Sequence, residues 1–226
     1  MRPRVAIPVL FGSVTALLGS CSESTGQKHV SRATPPPAAP DSAAFRSYRR
    51  TLQRLADADW QDRQAIFKVF RQHGFRSAPA DSANRWLMRQ DSVRLHTFRT
   101  LERRYGWPRA STTGREGTQQ AYLLVQHAPP AVQARYQEPL RAAHARGELR
   151  SPDYATYLDR VLVNQGRAQR YGTQSDRRAL ASGQEEAYLL PVEDVPALDH
   201  RRATMGLEPI LAQLRPGTLI LKPEAQ

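Results

Sequence analysis

Residues 151–174 read SPDYATYLDRVLVNQGRAQRYGTQ, a stretch that predicts a helix followed by a polar loop or short strand. Ser151 is suited to cap the free amides of a helix, and Pro152 suits its first position. Apolar side chains then recur at helical spacing and form one stripe, made of Tyr154, Leu158, Val161 and Leu162. After Val163 this periodicity ends, and residues 166–174 carry too many side-chain donors and acceptors for a core. We therefore expect a helix that presents a shaped polar loop.

The chain before this stretch predicts further helices. Asp41 or Ser42 is expected to cap the first, and Asp81 or Ser82 is expected to cap a later one. The stripe expected on that later helix consists of Trp86, Val93, Leu101 and Tyr105. The apolar spacing leaves open whether the residues between these two caps form one bent helix or two.

Proline and glycine divide the next part of the chain. Gly106-Trp107-Pro108 ends the stripe, because proline disfavours helix in the residue before it. We expect a helix near residues 116–128 and another over residues 130–147, with Pro139 as a kink in the second. These segments lead into the helix that begins near Ser151.

After Gln174 the sequence pattern changes from long helical periodicity to short apolar segments. The apolar residues 187–192 are expected to pair as a strand with residues 169–174. Short helices are expected over residues 197–205 and 207–214, and residues 218–221 are β-prone. The sequence therefore predicts a mainly α fold, a single helical domain with a small β element near residues 169–192 and a further β segment at the C-terminus.

The N-terminus looks like the signal of a bacterial lipoprotein. A short positive region precedes about 14 apolar residues, which is short for a membrane-spanning helix. The segment ends in Leu18-Gly19-Ser20-Cys21, which resembles a lipobox. That resemblance implies cleavage before Cys21, attachment of a diacylglycerol to its sulfur and acylation, with palmitate for example, of the new amine. Cys21 is the single cysteine of the chain, so the thiol stands where lipidation needs it and the body has no disulfide.

The lipobox predicts the domain organisation and the compartment. We expect a signal peptide at residues 1–20, a flexible Pro- and Ser-rich tether at residues 21–40, and a globular domain at residues 41–226. Membrane contact would be through the lipid at Cys21, because several acyl chains together make a stable anchor. Ser22-Glu23, with no Asp after the cysteine, favours the outer membrane over the inner membrane by resemblance to enterobacterial sorting.

Charge is the unusual feature of the composition. The net charge is +12, from 33 Lys and Arg against 21 Asp and Glu. Such a balance could suit anionic headgroups or acidic glycans, or it could be the arginine usage of a GC-rich genome. The arginines are spread along the helices and form no single run, which favours the second interpretation. We do not expect nucleic acid as a partner.

Five motifs in order resemble an uncharacterised bacterial family, a domain of unknown function. They are Gly106-Trp107-Pro108, Gln126-His127-Ala128, Asp159-Arg160-Val161 with Gly166 and Gln169, Tyr171-Gly172-Thr173-Gln174, and Arg201-Arg202 with Gly206-Leu207. The resemblance covers residues 56–214 and implies one structural unit with no assigned activity. The chain departs from the family at Ala128-Pro129-Pro130, where other members more often carry an acidic residue after the QHA motif.

His127 and Asp159 are the candidates for proton transfer. His127 lies among the motif residues and can titrate near neutrality, and Asp159 could orient it. The alternative for His127 is a structural role in the last turn of a helix, where an imidazole can bond to free carbonyls. The alternative for Asp159 is to hold the loop of residues 169–174 on its helix.

Five further residues are candidates for ligand binding: Trp107, Arg160, Gln169, Tyr171 and Gln174. Arg160 could grip a carboxylate or phosphate, whereas the amides and the tyrosine ring would suit a sugar or a peptide. The structural alternatives are an ion pair for Arg160, loop-pinning hydrogen bonds for the amides and a hydrophobic plug for Trp107.

Several chemistries lack their motif. The sequence has no HExxH, no paired-cysteine metal site, no GxSxG, no phosphate loop and no Rossmann glycine pattern. We expect no metal and no cofactor. The leading hypothesis is a lipid-anchored module that binds a polar envelope ligand or a protein partner, and the alternative is a hydrolase acting on an envelope polymer with His127 as general acid or base. The sequence leaves the oligomeric state open.

Overall fold

A computed structural model describes residues 43–179, 185–214 and 219–220 of the 226-residue chain. The expected signal peptide, the expected lipidation site Cys21, the expected tether and the expected caps Asp41 and Ser42 lie outside the described residues. The described part is mainly helical and carries one small sheet. This confirms the fold class expected from the sequence.

Two long helices form the first half of the domain. Helix α1 spans Ala43–His73 without interruption. The region for which the sequence left open one bent helix or two is therefore a single helix. Gly74 ends it with a φ of 78°, and its N–H donates to the Phe70 carbonyl. Helix α2, Ala78–Tyr105, returns alongside α1.

The N-terminus of α2 is capped earlier than the sequence pattern suggested. The hydroxyl of Ser77 accepts a hydrogen bond of 3.2 Å from the amide of Ala80. The expected caps Asp81 and Ser82 are therefore wrong, and both residues lie inside the helix. Asp81 still stabilises the first turn, because a negative charge there complements the helix dipole.

The expected apolar stripe of α2 is wrong in its first half, whereas Leu101 and Tyr105 pack against the main core cluster. Trp86 is 39% exposed and Val93 is 62% exposed, so neither lies in the core. The buried positions are Leu87, Arg94, Leu95 and Phe98. Arg94 lies seven residues after Leu87 on the buried face. Because Arg94 is charged, the apolar periodicity of that face is interrupted in the sequence.

Four shorter helices follow: α3 (Ala110–Gln126), α4 (Pro130–Arg135), α5 (Gln137–Ala145) and α6 (Ser151–Asn164). The single kinked helix expected over residues 130–147 is in fact two helices, which meet at Tyr136. Pro139 lies in the first turn of α5, where its missing N–H leaves no bond unmade.

Helix α6 begins at Ser151, but Ser151 is its first residue and not its cap. Arg150 holds the N-cap position and makes no side-chain capping bond. The hydroxyl of Ser151 lies 3.0 Å from Nε2 of His144 instead. The expected start of the helix is confirmed, whereas the expected role of Ser151 is wrong.

The core consists of separate apolar clusters along the α1–α2 pair. The main cluster holds helices α1, α2, α3, α5 and α6 together and includes Leu52, Phe98, Val125, Leu140 and Tyr157. A smaller cluster nearer the α1–α2 turn contains Ile66, Phe70, Ala80 and Leu87. Between them in both helices lie charged residues, which form the candidate site described below.

The sheet is a hairpin with one added strand. Strand β1 (Ser175–Ala179) pairs antiparallel with β2 (Glu185–Leu189), and β3 (Leu219–Ile220) pairs parallel with β2. The expected pairing of residues 169–174 with 187–192 is formed only at its ends, by a bridge between Gln169 and Val192 and by a hydrogen bond of 3.2 Å from the Leu190 amide to the Gln174 carbonyl. The amides of that loop cannot join a ladder because Asp159 accepts several of them.

The C-terminal part contains two short helices, α7 (Leu198–Thr204) and α8 (Ile210–Gln213). They pack their apolar side chains against β2 in a further small cluster around Leu189, Leu198 and Ile210. Among the described helices, none combines the length and the apolar character that crossing a bilayer requires.

Candidate functional site

A layer of charged side chains crosses the interface between α1 and α2. Arg63 donates through Nε to both carboxylate oxygens of Asp59 at 3.1 Å, and through Nη2 to both oxygens of Asp91 at 3.0 and 2.9 Å. The side chains of Arg63, Asp59 and Asp91 are 11%, 5% and 11% exposed. Each carboxylate thus has a guanidinium partner inside the fold, which buried charges require.

Arg94 completes this layer from α2. Its Nη1 donates to Asp91 at 3.0 Å, and its Nη2 donates to the Ala58 carbonyl at 3.3 Å and contacts Asp62. Burial lowers the pKa of Arg94, and the charge of Asp59 opposes that shift. We call Asp59, Arg63, Asp91, Arg94 and His127 the central polar cluster.

The protonation of the two buried carboxylates differs. Burial alone would raise the pKa of Asp59, but its hydrogen bond with His127 and the charge of Arg63 outweigh burial and hold the pKa below its usual range. Burial raises the pKa of Asp91, and the neighbouring Asp59 adds to the rise while Arg63 opposes it. Both carboxylates are therefore ionised at neutral pH, and Asp59 stays ionised to the lower pH.

His127 joins the cluster from the C-terminal end of α3, where it is the C-cap residue. Its Nδ1 lies 3.1 Å from Oδ1 of Asp59, and its side chain is 13% exposed. Ionised Asp59 can only accept, so Nδ1 carries the proton of the neutral ring and Nε2 carries the lone pair. Nε2 has no hydrogen-bond partner in the part of the chain that the structure describes.

The electrostatics keep His127 neutral. The pKa of His127 is lowered to about 4: burial is the largest cause, the charges of Arg63 and Arg160 also lower it, and the hydrogen bond and charge of Asp59 oppose them. A neutral imidazole with a fixed N–H and a free lone pair is a hydrogen-bond acceptor, although so low a pKa makes it a weak base at neutral pH.

Arg160 reaches the same region from α6. Its Nη1 donates to the carbonyl of Gln126 at 3.3 Å, and its Nε donates to Oε1 of Gln174 at 3.1 Å. Because Gln126 precedes His127, the bond to its carbonyl places the Arg160 guanidinium near the histidine, and the charge of Arg160 lowers the pKa of His127. Of the five residues expected to bind a ligand, Arg160 lies near His127, and Gln174 contacts Arg160.

Asp159 does not contact His127, because its carboxylate is committed to the loop after α6. It is fully buried and accepts from the amides of Arg170, Tyr171 and Thr173 at distances of 2.7 to 3.2 Å, and from the Thr173 hydroxyl at 2.9 Å. Burial raises its pKa, and these hydrogen bonds oppose the rise. The expected His127–Asp159 pair is therefore not formed; Asp59 takes that place, and Asp159 holds the loop.

Gln169 and Tyr171 also serve the loop. Gln169 is fully buried, donates to the carbonyls of Gln174 and Leu190 at 2.8 Å, and accepts from the Gln174 amide at 2.8 Å. Tyr171 is 9% exposed and lies in an apolar cluster with Ala155 and Met205. Both side chains are used inside the fold, which is the structural alternative that the sequence left open.

Trp107 behaves as a plug at the end of α2. Its ring packs edge-on against Phe98 at 5.9 Å and lies 5.5 Å from Tyr136, centroid to centroid. Its Nε1 is buried and has no hydrogen-bond partner within the described residues. The geometry gives this ring a packing role and no path to a ligand beside His127.

The sequence interpretation missed Asp59, Arg63 and Asp91. A signal for Asp59 was present, because Leu52, Asp59 and Ile66 follow one another at heptad spacing and all three are buried. An acidic residue on an apolar stripe needs a buried partner. Arg63, one turn later on the same helix, is that partner.

The described residues contain no group of three or more His, Cys, Asp or Glu side chains that could hold a metal ion. In the central polar cluster the carboxylates already have arginine partners, which leaves them no free coordination for a cation.

Comparison with protein families gives one assignment. Residues 49–217, more than half of the chain, match a family described as "Family of unknown function (DUF6624)". The chain belongs to this family. The whole central polar cluster, Arg160 and the loop held by Asp159 lie inside the DUF6624 region. Comparison with curated proteins and with solved structures gave no match.

Proposed function

We propose that this DUF6624 protein is a lipid-anchored protein of the cell envelope, at the outer membrane, and that its helical domain binds a polar envelope ligand or partner beside His127. Two parts of the proposal have separate support. The lipobox at residues 18–21 and the tether that follows support the anchor. The arrangement around His127 supports the binding site.

The observation that carries the binding proposal is the state of the imidazole. The carboxylates of Asp59 and Asp91 are paired with arginines, but Nε2 of His127 is an acceptor without a partner among the described residues, on a side chain that is 13% exposed. A polar atom held this way by Asp59 is ready to accept a hydrogen bond from a ligand at little ordering cost.

The anchor is tested by labelling growing cells with radioactive palmitate. The wild-type chain should incorporate label and fractionate with the outer membrane, whereas Cys21→Ala should incorporate none. Equal labelling of the two chains would refute lipidation at Cys21.

The binding site is tested with soluble peptidoglycan fragments as the probe. Binding to the full-length chain in neutral detergent should perturb the imidazole resonances of His127, and His127→Gln should weaken the measured affinity by about tenfold or more, the loss expected for a hydrogen bond of about 1.4 kcal/mol. His73→Gln is the matched control, because His73 is an exposed histidine at the end of α1. An identical affinity in all three chains would refute a role for His127.

A second candidate function is hydrolysis of an envelope polymer, with His127 as general base. The Asp59–His127 hydrogen bond favours it, since a carboxylate that accepts from Nδ1 orients the imidazole and leaves its Nε2 lone pair free to accept a proton from water. The low pKa of His127 opposes it, because it makes the imidazole a weak base at neutral pH. Release of soluble dye from dye-labelled peptidoglycan by the wild-type chain, lost in His127→Gln and retained in His73→Gln, would establish this function in place of simple binding.

A further inference from the structure

Arg160 is a half-buried cation with no carboxylate partner in the described residues. Its hydrogen-bond acceptors are neutral, the side-chain oxygen of Gln174 and the carbonyl of Gln126. Its Nη2 makes no hydrogen bond to any described residue. A half-buried guanidinium that lacks a counter-charge has lost part of its hydration, and two neutral acceptors replace only part of that loss.

Other inward-facing arginines of this fold differ in that respect. Arg63 and Arg94 are both ion-paired with Asp91. Arg202 is fully buried and also lacks a carboxylate, but its three terminal nitrogens donate to the carbonyls of Glu208 and Tyr171 and to the side chain of Gln213. All three guanidinium nitrogens of Arg202 donate hydrogen bonds within the fold. Nη2 of Arg160, near His127, donates none to a described residue.

The surroundings of Arg160 carry positive potential. The pKa of Arg160 is lowered to about 10: burial is the largest cause, Tyr122 opposes the shift, and the charge of Arg63 adds to it. Arg63 and Arg160 together also disfavour protonation of His127. The negative charges of Asp59 and Asp91 are already shared with Arg63 and Arg94, so they do not neutralise Arg160.

We infer that the ligand carries a carboxylate or phosphate group, that Arg160 binds this oxyanion, and that Nε2 of His127 accepts a neighbouring hydroxyl or N–H of the same ligand. This inference rests on the proposed binding site and names the chemistry of its ligand. A guanidinium is suited to the task because its planar N–H groups match the geometry of an oxyanion and remain charged at any physiological pH. Gln174 fixes the direction of the guanidinium through Nε.

The test is a nuclear magnetic resonance titration of the full-length chain in neutral detergent, labelled at arginine and histidine. The probes are inorganic phosphate and acetate, which separate the two sources of the oxyanion. At least one should shift the side-chain Nε–H signal of Arg160 saturably and should raise the pKa of His127, because a bound anion favours the imidazolium. This direct signal needs no variant, so it stands even if a substitution at Arg160 prevents folding.

Three variants locate the site. Arg160→Gln should weaken binding by about tenfold or more, the loss expected for one charge-assisted hydrogen bond. Arg141→Gln is the matched control, since Arg141 is an exposed arginine paired with Glu138 on α5, and it should bind as the wild type does. Arg103→Gln tests a groove of about 320 Å³ along α2 that is lined by His96, Arg99 and Arg103.

The opposing outcomes are distinct. If Arg103→Gln abolishes binding and Arg160→Gln does not, the anion binds in the α2 groove and the inference is wrong. If neither anion binds while an uncharged chitin oligosaccharide shifts His127, the proposed binding site stands and its anionic ligand does not. If the anions, the oligosaccharide and the peptidoglycan fragments all leave His127 unshifted, both proposals fail.

Discussion

Nδ1 of His127 lies 3.1 Å from Oδ1 of Asp59, although 68 residues separate them in the chain. The contact joins the middle of α1 to the end of α3 and fixes which ring nitrogen is protonated. It also links the histidine to the Arg63 and Asp91 pairs through the same carboxylate. The tautomer of His127 is therefore set by a residue of α1, and the sequence around His127 gives no sign of that contact.

The first prediction concerns the protonation of His127. Its ring should remain in the neutral Nδ1–H form down to a pH near 4, because burial lowers its pKa from 6.5 to about 4. Nitrogen chemical shifts from a histidine-labelled sample, followed from pH 8 to pH 4, report both the tautomer and the titration. A ring that becomes charged at or above pH 6.5 would contradict the structure.

The same shift affects stability, with a definite sign. The unfolded chain binds a proton at His127 below pH 6.5 and the folded chain does not, so this residue reduces stability as the pH falls from 6.5 to about 4. The raised pKa of Asp91 acts with the opposite sign in the acidic range, because there the folded state holds the extra proton. The effect of His127 should therefore be measured as the difference between wild type and His127→Gln.

The second prediction concerns the buried ion pairs. Asp59→Ala should lower the free energy of unfolding by roughly 3–5 kcal/mol, because it leaves Arg63 and Arg94 to share Asp91 inside the fold. Glu193→Gln is the control, since Glu193 pairs with Arg170 on the surface and should cost less than about 1 kcal/mol. Urea unfolding measures the free energy of unfolding of both variants, provided that their m-values match the wild-type value. A midpoint of Asp59→Ala equal to that of the wild type would show that the central polar cluster adds no stability.

The third prediction separates the two roles considered for Asp159. Asp159→Asn should destabilise the domain by about 2 kcal/mol or more, because an amide nitrogen would replace an oxygen that accepts backbone N–H groups. Hydrogen exchange at the amides of Arg170, Tyr171 and Thr173 should accelerate selectively, with exchange in α1 less affected. Unchanged exchange together with lost ligand binding would instead give Asp159 a direct role at the ligand.

The fourth prediction explains the glycine of the YGTQ motif. Gly172 has a φ of 65°, and a Cβ there would lie 3.3 Å from side-chain carbons of Ile210 and Leu189. Gly147 is a matched control, because its φ is 68° and a Cβ would meet nothing within 4 Å. Alanine at either position should cost about 1 kcal/mol for the left-handed conformation, and Gly172→Ala should cost about 1 kcal/mol more from crowding. Equal losses of stability for the two variants in thermal unfolding would mean that Ile210 and Leu189 move aside to accommodate the added Cβ.

Local sequence predicted the helices better than their partners. The start of α6 and the loop after it followed from the stretch around Ser151, because helix periodicity and a stop signal act within a few residues. The cap of α2 and the first half of its stripe were wrong for a local reason as well. Ser77 stands two residues before Pro79, and Arg94 replaces an apolar residue on the buried face.

The sequence by itself determined the mainly α fold class, the position of most helices and the residue types available for a site. These depend on short-range periodicity, capping and proline placement, which can be read along the chain. Only the tertiary structure decided that His127 pairs with Asp59, that Asp159 holds a loop and that Arg160 has no carboxylate partner among the described residues. The physical reason is that burial, ion pairing and hydrogen bonding depend on which distant residues the packing brings within about 3 Å, and side-chain spacing along one helix carries no such information.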